Sequence, residues 1–396
     1  MNKTVIQIMG DQTGLTHAAT DRCRPPAEHS FISWQLIRAS MVPGSRLSSS
    51  FTGNALMAIG LLSLTMARAA GAAQPAPAVA PSAGNPAATA STNSTPTQLV
   101  DALNGVFGKQ VHGRAIHAKG IVLEGSFTPS VAAASLSKAP HFHGAAVPVT
   151  VRFSNFAGIP KIADTDGLAT PRGFAVKFHL ANGTDTDLVA HSFNGFPSAT
   201  AEEFRQLMVA IGTSGPGTPS PTPAEAFMGT HPTAKYFFDH LTPPPESFAT
   251  LPYYGVNSFR FTNAKNESKF GRYQIVPQAG AHFLSKDAVT AAGPNYLEED
   301  IARRVAAGPV KFTLQVQLSA KGDQIDNPAI TWPDSRDTVT LGVITITHVV
   351  ENSDTAERQL MFTPSAITDG IETADPMIEA RNGAYGVSYG RRHETP

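Results

Sequence analysis

Apolar and polar residues alternate with a period of two in several separate stretches, which is the pattern of strands whose faces meet different surroundings. The clearest are residues 147–153, 173–180, 258–263, 311–318 and 338–348, with a further run over 121–127. All carry β-branched or aromatic residues at many alternate positions. Helices are predicted over residues 98–107, 201–212, 223–241, 295–307 and 375–385, and the Pro-rich stretch 215–222 reads as a loop. Strands without regular intervening helices favour antiparallel pairing. The expected fold class is α+β, an antiparallel β-barrel or sheet with flanking helices.

The N-terminal part has a different texture. Residues 54–66 form an apolar run of signal-peptide length, with Arg46 ahead and the small residues 69–73 behind, too short to span a bilayer comfortably. Residues 1–73 are therefore expected to be a leader containing a signal peptide, with Met41 as an alternative start that would place the apolar run more ordinarily. Residues 74–97, rich in Pro, Ala and Ser, read as a linker. Residues 98–396 remain as one domain with no internal repeat, and export to a periplasm-like compartment is expected, with no stable membrane anchor.

Composition narrows the chemistry. With 30 Lys+Arg against 31 Asp+Glu, a net charge of −1 excludes a basic nucleic-acid binder. The single cysteine, Cys23, lies in the expected leader, which excludes an internal disulfide, thiolate metal sites and cysteine nucleophiles. The 13 histidines leave room for acid–base or metal chemistry.

Three segments carry candidate chemistry. Arg114 and His117 stand three residues apart at the head of the 121–127 run; alone, such a histidine is more often structural. In 149–154, alternation puts Val149, Val151 and Phe153 on one face and Thr150, Arg152 and Ser154 on the other, so a polar pocket or water must meet the second face. Near the C-terminus, Arg381, Tyr385 and Arg392 are spaced by four and then seven, which on a helix sets a guanidinium one turn from a phenol. A neighbouring cation favours the phenolate. By itself this stretch also reads as an exposed helix with a basic tail.

Together the segments resemble the haem-dependent catalase family. The resemblance rests on Arg114-x-x-His-Ala-Lys-Gly120, Val151-Arg-Phe-Ser154, Ala163-Asp-Thr165, Pro171-Arg-Gly-Phe-Ala-Val-Lys-Phe178 and Tyr254-Gly-Val-Asn-Ser-Phe-Arg-Phe261, and it extends from Gly113 to Arg392. Within that family the chain resembles the short, exported, catalase-related peroxidases. The family ligates haem iron through a tyrosine. The resemblance thus implies haem b held by Tyr385, with Arg381 as its cationic neighbour, His117 as the distal histidine and Ser154 hydrogen-bonded to it. Arg114, Arg152 and Arg392 are implied as propionate partners, and Phe204 as the ring stacked on the porphyrin. For the family's distal asparagine, ungapped counting gives His191, whereas a local shift of three gives Asn194. Asn194 is preferred, because an amide orients peroxide without taking its proton. His141 and His143 read as surface or structural.

The implied activity is a haem peroxidase that reduces hydrogen peroxide or organic hydroperoxides with a small organic donor and protects against peroxide stress. Only residues 386–396 follow Tyr385 in this sequence, so the resemblance also implies a haem edge open to donors and weak catalase activity. Two other readings stay open: transformation of a fatty-acid hydroperoxide, and non-enzymatic haem binding in the periplasm. The sequence is compatible with a homo-oligomer.

Overall fold

The computed structural model describes residues 95–394. The expected leader and most of the expected linker lie outside the described residues. The first described element is α1 (Pro96–Phe107), which starts two residues before the expected 98, because Thr95 caps it and forms a reciprocal capping box with Gln98.

The described residues form nine strands: β1 (Gly120–Pro129), β2 (Val147–Ser154), β3 (Gly173–His179), β4 (Asp185–His191), β5 (Tyr253–Thr262), β6 (Ser268–Pro277), β7 (Val310–Leu318), β8 (Thr338–Val349) and β9 (Ile371–Thr373). They pair antiparallel in the order β4-β3-β2-β1-β8-β7-β6-β5, and β4 returns to β5 through His191 and Tyr254, so eight strands close into a barrel. The short β9 adds to β5. This is the expected α+β antiparallel barrel.

Its interior is filled by the apolar face that the alternation marks. Phe153 stacks on Phe248 with ring centroids 5.1 Å apart, and Phe174 meets Phe312 edge-on at 4.9 Å. His141 is buried among Phe127, Phe142 and Phe178, so it is structural but not superficial. His143 bonds the Ser137 carbonyl through Nε2 at 3.0 Å.

A second apolar cluster lies outside the barrel, where α1 packs with α3 (Ala201–Gly212), α4 (Pro223–Thr230) and α5 (Pro232–Asp239). The single helix expected over 223–241 is interrupted at His231, because a residue preceding proline is disfavoured in the helical region. The remaining helices are α2 (Val131–Leu136), α6 (Lys286–Ala291), α7 (Tyr296–Ala307), α8 (Ser353–Gln359) and α9 (Met377–His393). The last runs eight residues beyond the expected end at Tyr385. It seats directly on α1: a side chain at Gly383 would come within 2.4 Å of the Pro96 ring.

Candidate active site

The outward faces of β2, β3 and β4 and the inward faces of α1, α3 and α9 enclose a large cavity. Arg114, His117, Arg152, Ser154, His191, Phe204, Arg381, Tyr385 and Arg392 all line it, although they span nearly three hundred residues of chain.

On the barrel side, His117 sits in the segment leading into β1 with φ of 56°, a left-handed conformation that a non-glycine residue adopts only when its surroundings enforce it. Its N–H donates to the Phe156 carbonyl at 2.7 Å, and its own carbonyl accepts from Arg152 Nη2 at 2.9 Å. The ring shares a 3.1 Å hydrogen bond between Nδ1 and Ser154 Oγ. This pair needs the bare backbone opposite: a Cβ at Gly173 would lie 2.4 Å from Ser154 Oγ and 2.9 Å from His117 Nδ1. Burial, reinforced by the charge of Arg152, pushes the His117 pKa down to about 3, so the ring is neutral.

Behind this loop lies a buried polar cluster. Lys119 Nζ donates to Asp164 Oδ1 at 2.7 Å and to Asn295 Oδ1 at 2.9 Å; Asn155 donates to the same carboxylate oxygen at 2.7 Å, and Leu297 N–H to the other at 2.8 Å. Arg172 donates to Asn155 at 3.0 Å. Lys119, Asp164 and Arg172 belong to the motifs at 114–120, 163–165 and 171–178, and none of the three reaches the cavity lining. They hold the loop that carries His117.

On the helical side, α9 presents Tyr385. Arg381 Nη2 donates to its hydroxyl at 3.1 Å, while Nη1 donates to Asn257 Oδ1. Asn257 in turn donates to Asp375 Oδ2 at 2.7 Å, and Asp375 Oδ1 accepts from Met377 N–H at 2.9 Å at the start of α9. Burial raises the Asp375 pKa, and Asn257 partly offsets the shift by bonding the charged form. Tyr389, one turn on, also lines the cavity, with the Arg392 guanidinium 4.7 Å from its ring centroid.

Three arginines meet at one end. Arg152 Nε and Nη2 clasp Glu357 of α8 at 2.8 and 3.1 Å, and Arg114 reaches Glu357 Oε2 at 3.4 Å. Arg114 and Arg392 also converge on the Leu360 carbonyl at 2.7 and 2.6 Å. Burial lowers the pKa of Arg114, as does the neighbouring Arg152, and the same two causes lower that of Arg392 to about 10. Glu357 carries one charge against three, so the cluster keeps unspent positive charge and suits an anionic group. Arg392 Nε is buried and has no hydrogen-bond partner among the described residues.

Asn194 does not take the expected place. The β3–β4 ladder stays in register through the pair Gly173 and His191, which makes His191 the last ladder residue of β4. Ser192 then leaves the strand, pinned to Arg172, and Asn194 lies in the turn beyond, where its carbonyl accepts from Thr331 Oγ1 at 2.8 Å. His191 lines the cavity and Asn194 does not. Phe204 stands on the α3 wall, 5.1 Å from the Phe196 ring. Glu357, Asn257 and Asp375 escaped the sequence reading; the Asn in 254–261 and the Asp opening 375–385 stood in stretches already singled out, but nothing local marks any of them as partners.

The Catalase family model matches residues 70–394. The chain belongs to the catalase family. It is 36% identical over 298 residues to a catalase-related peroxidase of Mycolicibacterium paratuberculosis, covering 74% of this chain and 93% of that protein. It is 34% identical over 307 residues to a catalase-related peroxidase of Synechococcus elongatus, covering 76% and 90%. Solved catalase structures share the fold: a fungal catalase at 20% identity and TM-score 0.61 over 74% of this chain, and a bacterial catalase at 20% and 0.62 over 75%. The chain spans 62% and 60% of those two longer proteins. Family membership makes this a peroxide-metabolising enzyme and implies a haem cofactor. Among the described residues no group of three or more His, Cys, Asp or Glu is placed to hold a metal ion, and no helix is long and apolar enough to cross a membrane.

Proposed function

We propose that this member of the catalase family is a haem peroxidase that reduces hydrogen peroxide or an organic hydroperoxide with electrons from an organic donor. The carrying observation is one cavity lined both by a neutral, tethered imidazole, His117 on Ser154, and by a phenol held against a guanidinium, Tyr385 on Arg381. The residues present fit iron protoporphyrin IX, haem b. The excess positive charge of Arg114, Arg152 and Arg392 over Glu357 matches two propionates, and the unpartnered Arg392 Nε offers one further donor. Tyr385 would ligate the iron, with Arg381 favouring its phenolate form, and Phe204 would pack against the porphyrin.

Bound haem supplies the electrons and the Lewis acid that cleavage of a peroxide O–O bond needs. His117 takes the proton from the inner oxygen of the incoming peroxide through the ring nitrogen that Ser154 does not hold. It returns that proton to the outer oxygen, which leaves as water or an alcohol. Ser154 and the left-handed backbone fix the ring for both transfers. Phe196, Phe237 and Phe238 line the same cavity, and an aromatic wall favours an organic molecule over hydrogen peroxide as the reductant.

The reading includes weak dismutation, protection against peroxide stress, and export on the strength of the 54–66 run. Oxygen release and donor oxidation measured on one sample test it: donor oxidation should dominate, whereas rapid oxygen release with negligible donor oxidation overturns the peroxidase assignment. Sequencing the N-terminus of the secreted protein tests export, which requires cleavage between the apolar run and residue 95.

A further inference from the structure

His191 carries hydrogen-bonding capacity that no described residue meets. It ends β4 with its ring in the cavity, and both Nδ1 and Nε2 are buried without a partner. A neutral imidazole holds one N–H donor and one bare acceptor nitrogen, and burying both unpaired is unfavourable unless a ligand satisfies them. Burial, with the Arg381 charge nearby, lowers the His191 pKa to about 3, so the bare nitrogen persists at ordinary pH.

The surroundings of His191 are aromatic. Phe196 and Phe237 each stand edge-on to it with centroids 6.4 Å away. Phe237 meets Phe193 edge-on at 4.9 Å, and Phe193 meets Tyr236 at 6.4 Å. Tyr236 is 55% exposed, so a series of rings leads from the surface to the imidazole. Rings set edge-on leave faces and edges that a flat aromatic guest can meet in the same way. The other cavity imidazole is differently equipped: Ser154 fixes His117 for a small substrate, whereas no polar group orients His191.

We propose that His191 docks a phenol-class electron donor between Phe196 and Phe237 and accepts its proton. The proposal rests on the haem peroxidase reading and names the donor class for that site. Each phenol loses its O–H bond: the proton goes to the bare nitrogen of His191, the electron goes to the peroxide-oxidised enzyme, and a phenoxyl radical departs. Two phenols balance one hydroperoxide, ROOH + 2 ArOH → ROH + H2O + 2 ArO•, and His191 releases its protons to the water formed.

Two comparisons test this on the haem-loaded enzyme. Ferrocyanide gives an electron and no proton, so His191→Phe should lower the ratio of kcat/KM for phenol to that for ferrocyanide at least tenfold, and His191→Gln should recover part of it. Independently of turnover, NMR line broadening should show the wild type binding phenol several-fold more tightly than anisole, which lacks the O–H, and His191→Phe should lose that preference. Equal losses for phenol and ferrocyanide would place His191 in the peroxide step and overturn the proposal, as would equal binding of phenol and anisole to the wild type. A wild type that oxidises neither donor would refute the peroxidase reading itself, while the phenol–anisole comparison would still decide whether His191 recognises the hydroxyl.

Discussion

Arg381 and Tyr385 lie one turn apart on α9, and the guanidinium that touches the phenol at 3.1 Å is itself held by Asn257, which Asp375 holds in turn. The charge beside the hydroxyl is thus fixed by a chain of contacts reaching back to the first residue of the same helix, Met377, whose N–H Asp375 accepts. Arg381→Leu removes a charge-assisted hydrogen bond without removing the phenol. Haem affinity should fall by roughly tenfold, a loss of about 1.4 kcal/mol, measurable by transfer of haem to an acceptor protein.

His117→Ala should keep its haem and slow the reaction with peroxide by on the order of two or more decades in stopped-flow measurements, the scale of general acid–base catalysis. Ser154→Ala removes only the tether, and a loss of roughly five- to tenfold is expected, matching a hydrogen bond worth about 1 kcal/mol. A His117→Ala protein that fails to hold haem would mark His117 as structural instead.

Glu357 is the carboxylate shared by Arg152 and Arg114. Glu357→Gln should destabilise the haem-free protein by about 3 kcal/mol, the scale of breaking a buried ion pair, because three guanidiniums then face one another without a counter-charge. Haem propionates restore that charge. Thermal unfolding should therefore show a smaller loss in the haem-loaded protein than in the haem-free one.

His117, His141 and His191 are each pushed down to about 3, in every case first by burial. Their unfolded pKa is about 6.5, so between those values the unfolded chain binds more protons than the folded one. Stability is then fully present above about 6.5 and is lost as pH falls toward 3, by up to about 1.4 kcal/mol per pH unit for each histidine. His141 lies in the barrel core, away from the cavity lining. His141→Leu should reduce the acid slope of unfolding free energy by about one proton without altering the peroxide reaction.

The barrel was legible where one face is apolar and the other is not. Val149, Val151 and Phe153 announce the interior side of β2, and the same alternation places Arg152 and Ser154 on the outer side, where the cavity lies. β4 gave no such signal because Asp187, which belongs to a strand, is buried against Lys177 at 2.7 Å and also accepts from Thr363 N–H. That burial depends on residues remote in sequence. Glu357 sits in a polar stretch indistinguishable from a solvated turn, and becomes informative only when folding brings it to Arg152, 205 positions away. The same holds for Asn257 and Asp375, separated by 118 positions. Which of His191 and Asn194 lines the cavity follows from strand register, which pairing with β3 and β5 sets and local composition does not.

The absorption spectrum of the haem-loaded protein, read beside Tyr385→Phe and Tyr389→Phe, tests the central claim most directly. Both tyrosines line the cavity, but only Tyr385 carries the Arg381 contact. The wild type and Tyr389→Phe should show a high-spin ferric spectrum with tyrosinate ligation, while Tyr385→Phe should lose that signature and most of its haem. A Tyr385→Phe protein that keeps the tyrosinate spectrum, with Tyr389→Phe losing it, would contradict the assignment of Tyr385.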